Sequence, residues 1–291
     1  MITDRRLGVI TVDVEDYFQA EALRAHCPRN RWDSLEDRTE ANTDRLLDLL
    51  EGKGIRGTFF VLGWSADRHP ELVRRIADRG HEVASHGYDH ELIYRQEPQV
   101  FRADVDRARK LLQDLSGQPV LGYRAPSYTV VSRTRWALDI LAETGHVYDS
   151  SIFPIRRQKY GIPDAPRAPH RVGKGDALIE FPLPAVRVGG VNLPATGGAY
   201  TRLFPMMFQR WAVRRLLGEG IPVAVNVHPW ELDPGQPRME LTPLRRLIHY
   251  GNLSRTEARL SSLLDLAQFA PMIEILGELG FTEGLSPEFD V

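Results

Sequence analysis

Gly57-Thr58-Phe59-Phe60-Val61-Leu62 decides the fold. A strand with one wet face alternates polar and apolar side chains; this run does not. Its β-branched and aromatic residues predict a strand covered on both faces, the usual state of a strand in a parallel sheet. Working outward, strand-like and helix-like segments alternate. Leu7 to Val12 is an apolar strand. Asn42-Thr43 opens a helix carrying Leu46, Leu47, Leu49 and Leu50, closed by Gly52 and Gly54. Pro70 to Arg79 is a helix with proline at its start and Gly80 after its end.

The rhythm continues. His81 to Ser85 is a third strand, and Pro98 to Leu115 a long charged helix stopped at Gly117. Val120 to Tyr123 is a fourth strand, Trp136 to Glu143 a helix, and Val147-Tyr148 the start of a fifth strand. Leu178 to Phe181 and Val223 to Val227 are later strands, with a helix from Pro205 to Leu217 between them. About seven strand–helix units predict an α/β fold with right-handed crossovers, closed or nearly closed into a barrel. Functional groups then gather at the C-terminal ends of the strands. The Pro-, Gly- and Arg-rich region 154–202 reads as long covering loops and short strands. Ser254 to Leu279 returns to helix. The expectation is one domain over 1–291, with a core at about 7–235 and a C-terminal helical segment at about 236–285.

Composition narrows the class. The chain has 291 residues, 42% hydrophobic and 26% charged, a net charge of -2 and a pI near 6.5. That balance is ordinary for a globular enzyme-sized chain and lacks the basic footprint of a nucleic-acid binder. No apolar run is long enough to span a membrane, and Met1 to Arg6 lacks the apolar core of a signal peptide. The single Cys27 excludes an intrachain disulfide. A reducing, cytoplasmic location is expected, at the inner membrane face if the chain serves a membrane-bound assembly complex.

Five predicted strand ends carry polar chemistry. Asp13-Val14-Glu15-Asp16 follows the first strand. Ser85-His86-Gly87-Tyr88-Asp89-His90 follows the third and sets two imidazoles four residues apart. Arg124-Ala125-Pro126 follows the fourth, Asp149 closes the fifth, and His228 ends a later one. Imidazoles with carboxylates are the donor set of a divalent metal, and two histidines plus one carboxylate leave coordination positions open for catalysis.

With these motifs in view, the chain resembles the polysaccharide deacetylases of the NodB-homology type, carbohydrate esterase family 4. Within them it resembles a subgroup encoded near exosortase-linked exopolysaccharide loci. The matching stretches are residues 11–18, 58–64, 80–90, 122–128, 148–154 and 226–234, in family order. The resemblance implies a distorted (β/α)7 barrel, a divalent metal (zinc most often, cobalt or another ion in some cases) and hydrolysis of an N-acetyl group on an amino-sugar polymer or oligosaccharide. It implies His86 and His90 as metal ligands, Asp13 as general base, Arg124 as the residue orienting that base, and His228 as general acid. The opening motif departs from the commonest family pattern of two adjacent aspartates, so the metal carboxylate is Glu15 or Asp16; i, i+2 alternation favours Glu15. Asp149 is the candidate partner of His228. A backbone N–H near Ser127 or Tyr128 is a candidate oxyanion donor. Tyr128, Trp230 and Tyr200, with Tyr17 and Tyr123, are candidates for the sugar surface. Two other functions fit the same signals: an allantoinase-like amidohydrolase on a small cyclic amide, and a silent carbohydrate binder.

Overall fold

The computed structural model describes residues 6–283. The residues on which the reading of a missing leader rests, 1–5, lie outside them, as do the last two positions of the expected C-terminal segment. In chain order the elements are β1 (Leu7–Val14), α1 (Thr39–Glu51), β2 (Thr58–Val61), α2 (Gly63–Arg68), α3 (Pro70–Asp78), β3 (Glu82–Ser85), α4 (Pro98–Ser116), β4 (Gly122–Tyr123), α5 (Trp136–Glu143) and β5 (Tyr148–Asp149). There follow β6 (His170–Val172), β7 (Leu178–Glu180), β8 (Ala185–Val188), β9 (Val191–Pro194), α6 (Ala199–Leu203), α7 (Met206–Gly218), β10 (Val223–Val227), α8 (Pro243–Tyr250), α9 (Thr256–Leu264), β11 (Gln268–Phe269) and α10 (Met272–Glu278).

The strands run β10-β1-β2-β3-β4-β5-β7-β6, with β11 also on β1. From β10 to β7 every neighbouring pair is parallel, which gives the expected seven parallel strands. The sheet curls into a half-barrel and does not close: β6 joins β7 antiparallel and forms one end, and β10 the other. Of the two expected forms, closed or nearly closed, the sheet takes the open one. Residues 154–202, which follow the fifth strand, supply the last parallel strand β7, the antiparallel edge strand β6 and a separate β8–β9 hairpin.

The burial of β2 follows from its sequence. All four residues are buried, Phe59 on the side of the α1 and α3 leucines and Phe60 on the opposite side. Gly117 ends α4 in the left-handed conformation at φ 68°, a backbone state that favours glycine. Helices α2 and α6 escaped the sequence reading, and α8 was legible only as part of the helical segment expected at about 236–285. Helix α2 has only six residues, too few for a periodic signal. Helix α8 carries its apolar residues outward, so their spacing points to no core.

The C-terminal segment closes the bottom of the sheet. β11 pairs with Leu7 and Gly8 at the start of β1. The first turn of α10 donates from Met272 N to Thr58 Oγ1 (2.8 Å) and from Ile273 N to Glu82 Oε2 (3.3 Å), at the first residues of β2 and β3. The opposite, C-terminal end of the strands is left to the polar residues.

Candidate metal and acid–base site

β1 ends in a tight turn in which Glu15 N donates to Asp13 O (2.8 Å). The turn keeps Asp13 and Glu15 at the same rim. β3 ends at Ser85, and His86 is held there by its own N–H on Val61 O (3.0 Å). His90 has φ 53° and returns its ring to the same point. Glu15 Oε1 lies 2.8 Å from His86 Nε2 and 3.0 Å from His90 Nε2, and all three residues are buried.

The hydrogen bonding of His86 bears directly on a metal. Its Nδ1 donates to the carbonyl of Arg124 at 2.7 Å, since a carbonyl can only accept. In a neutral ring Nε2 then carries a bare lone pair, 2.8 Å from a carboxylate oxygen. Two lone pairs at that distance need a cation between them, either a proton or a metal. The donor set, with a backbone carbonyl fixing the tautomer, fits a divalent ion. A second overlapping group, Asp13, Glu15 and His228, also brings its donor atoms within 4.8 Å of one another. Burial raises the Glu15 carboxyl, but the charge of His90 and hydrogen bonds from His86 and His90 hold it well below its ordinary value.

Asp16 is absent from both groups. Its carboxylate caps the 3-10 turn Tyr17–Gln19 through Tyr17 N (2.7 Å) and accepts from the N–H of Arg38. The candidacy of Asp16 as ligand is corrected accordingly: adjacent residues leave an extended chain in opposite directions. Glu15→Gln should therefore lower zinc affinity at least tenfold. Asp16→Asn should leave zinc affinity unchanged and cost about 1 kcal/mol of stability, because the amide still caps Tyr17 N but its NH2 cannot accept from the N–H of Arg38. Zinc titration and thermal melts of both variants check this pair.

Arg124 is fully buried behind Asp13. Its Nη1 reaches Asp13 Oδ1 (2.7 Å), Thr11 Oγ1 (2.8 Å) and Asn226 Oδ1 (2.9 Å). Its Nη2 and Nε hold Ser150 Oγ (2.8 Å) and Ser150 O (3.0 Å). Asn226 Nδ2 donates to Asp13 Oδ2 (3.2 Å) and to the Tyr128 hydroxyl (2.6 Å). Asn226 was not singled out in the sequence; it lies two residues before His228 on β10, hence on the same face.

His228 Nε2 is 3.6 Å from Asp13 Oδ2. Its Nδ1 donates to Glu231 Oε2 (3.2 Å), whose other oxygen takes Arg202 Nε (2.7 Å). The carboxylate partner is thus Glu231, and the assignment of Asp149 is corrected. Asp149 sits opposite Glu180 in the β5–β7 register, and both acids are fully buried. Burial pushes Asp149 up to about 6 and Glu180 well above its ordinary value. The signal for Glu231 was its i+3 position in His228-Pro-Trp-Glu, the spacing of a capping box.

Burial pulls the His228 imidazole down, but the hydrogen bond to Glu231 and the charges of Glu15, Glu231 and Asp13 carry it up to about 9. Glu231→Gln removes the largest raising cause. If protonated His228 is required for turnover, activity is present below its pKa and lost above it. The basic limb of the rate profile should therefore move to lower pH by about one unit or more, measured as kcat against pH.

These groups open into a cavity of about 480 Å³. Tyr128, Tyr200 and Trp230 line it, with Phe153 and Tyr160 from the covering region. Trp230 stacks between His228 (5.4 Å) and His249 (4.5 Å), so it also fixes the His228 ring. Tyr17 and Tyr123 are buried elsewhere, in aromatic clusters, and do not line the cavity. Of the two N–H candidates, that of Tyr128 is spent on Ala125 O (3.0 Å); Ser127 lines the cavity. Five described non-glycine residues have positive φ, and three of them, His90, Ser127 and Tyr128, border this cavity. Such strain concentrates where function holds it in place.

Residues 32–147 match the family model described as polysaccharide deacetylase, and residues 150–277 match one described as a domain of unknown function, DUF3473. The first of these is a likeness to the polysaccharide deacetylases over less than half of the chain. A peptidoglycan deacetylase of Helicobacter pylori is 33% identical over 150 residues, covering 50% of this chain and 46% of that protein. The chain spans about a third to a half of the length of the curated relatives it matches first. Among solved structures, one from Mycobacterium smegmatis assigned to the polysaccharide deacetylases aligns with TM-score 0.64 at 23% identity, over 94% of this chain and 91% of that one. The PuuE allantoinase aligns with TM-score 0.64 at 16% identity, over 97% and 92%. At these identities the likeness concerns the fold.

Proposed function

We propose that this protein is a metal-dependent N-deacetylase acting on N-acetylated amino sugars, with an exopolysaccharide of the exosortase-linked type as its natural substrate. The observation that carries the reading is the buried Glu15–His86–His90 cluster, with a bare Nε2 facing a carboxylate, beside Asp13 and His228 in one aromatic cavity. Glu15, His86 and His90 would hold the ion, whose chemistry is Lewis acidity toward the acetamide carbonyl.

The remaining work falls to residues of the chain. Asp13, held by Arg124 and Asn226, accepts a proton from the attacking water. His228, held charged by Glu231, donates a proton to the departing nitrogen, so acetate and a free amine leave. Tyr128, Tyr200 and Trp230 offer faces for the apolar side of a sugar ring. Burial keeps the Tyr128 phenol well above its ordinary pKa, hence neutral, and able to serve as a hydrogen-bonding group.

The test is acetate release from N-acetylated chito-oligosaccharides, with chelator and with zinc or cobalt restored. Chelator-sensitive release recovered by metal supports the proposal. Turnover of allantoin without acetate would favour the cyclic-amide reading. Absence of both activities with metal bound would favour the silent binder.

A further inference from the structure

Most arginines on the α1–α3–α4 side of the molecule meet carboxylates: Arg75 pairs with Glu40 and Asp44, and Arg79 with Asp48 and Glu51. The α7 and α8 surfaces are different. Residues 181–218 and 241–256 contain no Asp or Glu. Arg210 and Arg214 on α7, and Arg245 and Arg246 on α8, are exposed and make no ion pair among the described residues. A net charge of -2 for the whole chain conceals this local excess of positive charge.

The same two helices expose large apolar side chains. Met207 is 86% exposed and Trp211 41% on α7; Leu244 is 67% and Leu247 55% on α8. Both patches reach the cavity. Ile248, next to Leu247, lines it together with Phe204. From Phe204 an aromatic series runs outward through Phe208 (5.5 Å) to Trp211 (5.7 Å). The exposed apolar surface is thus continuous with the cavity rim.

We propose that the α7–α8 face docks on an anionic lipid bilayer and presents the cavity mouth to a substrate held at that surface. Protruding apolar side chains interleaved with unpaired arginines match a helix lying in a headgroup layer: the apolar side chains enter the acyl boundary, tryptophan sits at the interface, and arginines meet lipid phosphates. A protein partner is the alternative outcome of the test, since arginine, methionine and tryptophan are also enriched in protein interfaces. The chemistry recognised is a bilayer rich in anionic headgroups. The proposal is independent of the deacetylase reading, since it concerns where the cavity opens and not what happens inside it.

The experiment is co-sedimentation of the full chain with phosphatidylcholine vesicles, with and without phosphatidylglycerol. Binding is expected only with the anionic lipid and should weaken as salt is raised. Arg245→Gln and Arg246→Gln should each weaken it about fivefold. Leu244→Ser with Trp211→Ser should weaken it at least tenfold, with circular dichroism and soluble-substrate hydrolysis unchanged. Equal binding to neutral vesicles, or no loss in the variants, would overturn the proposal. So would concentration-dependent self-association in sedimentation velocity that those variants abolish, because the face would then be a contact between copies.

Discussion

Asp13→Asn is expected to cut turnover about 10²–10⁴-fold while leaving bound zinc at one ion per chain. The substitution keeps size and removes the charge that accepts a proton. Arg124 keeps an oxygen to donate to, so the buried network loses little of its shape. The metal readout separates two assignments. If Glu15, His86 and His90 hold the ion, zinc content is unaffected. If the overlapping group of Asp13, Glu15 and His228 holds it, zinc and turnover fall together. Zinc by atomic absorption beside kcat on the same preparation decides between them.

Arg124→Met is expected to destabilise the fold by about 3–5 kcal/mol. Nothing replaces the donors that now satisfy Asp13, Thr11, Asn226 and both oxygens of Ser150. The charge of Arg124 also lies near the Asp149–Glu180 pair and favours its ionised form. Removing one member of a buried ion pair leaves the other desolvated and uncompensated. Arg124→Lys keeps the charge but loses the planar fork, so it should fall between wild type and the methionine variant. Equilibrium urea unfolding measures both. A change under about 1 kcal/mol for Arg124→Met would mean that the network is not holding the rim together.

Much of this arrangement was legible in the sequence because strand ends are local. His86, Arg124 and His228 each follow an apolar run directly, and the order of strand and helix in an α/β fold sends all such ends to one rim. The choice of Glu15 over Asp16 also follows from a local rule, the alternation of side chains along an extended chain. Partners across the sheet were harder. Glu231 and Asp149 both sit beside motif residues, and only the pairing of β5 with β7 turns Asp149 toward Glu180 and away from His228. Asn226 carries no signal by itself; its role comes from meeting Arg124, which arrives from the end of β4, with three strands between β4 and β10 in the curled sheet. The outward-facing leucines of α8 were invisible for a related reason: apolar periodicity is read as burial, and here it marks a surface. Trp211 stands on the same kind of face.

The position of β1 has a consequence for how the molecule is made. One edge of this eight-residue strand is paired by β2 within the first 61 residues. The other waits for β10, at residues 223–227. At ribosomal rates that gap corresponds to roughly 10–30 s during which a nearly all-apolar strand edge stays open to any neighbouring chain. Of the proposed metal ligands, Glu15 emerges before that interval and His86 and His90 early in it, and the proposed proton donor His228 emerges only at its end. A polypeptide stopped between His90 and β10 would carry the ion-binding residues on an unfinished, adhesive sheet, so the ligand-bearing half is not a free-standing unit from which the rest could be trimmed.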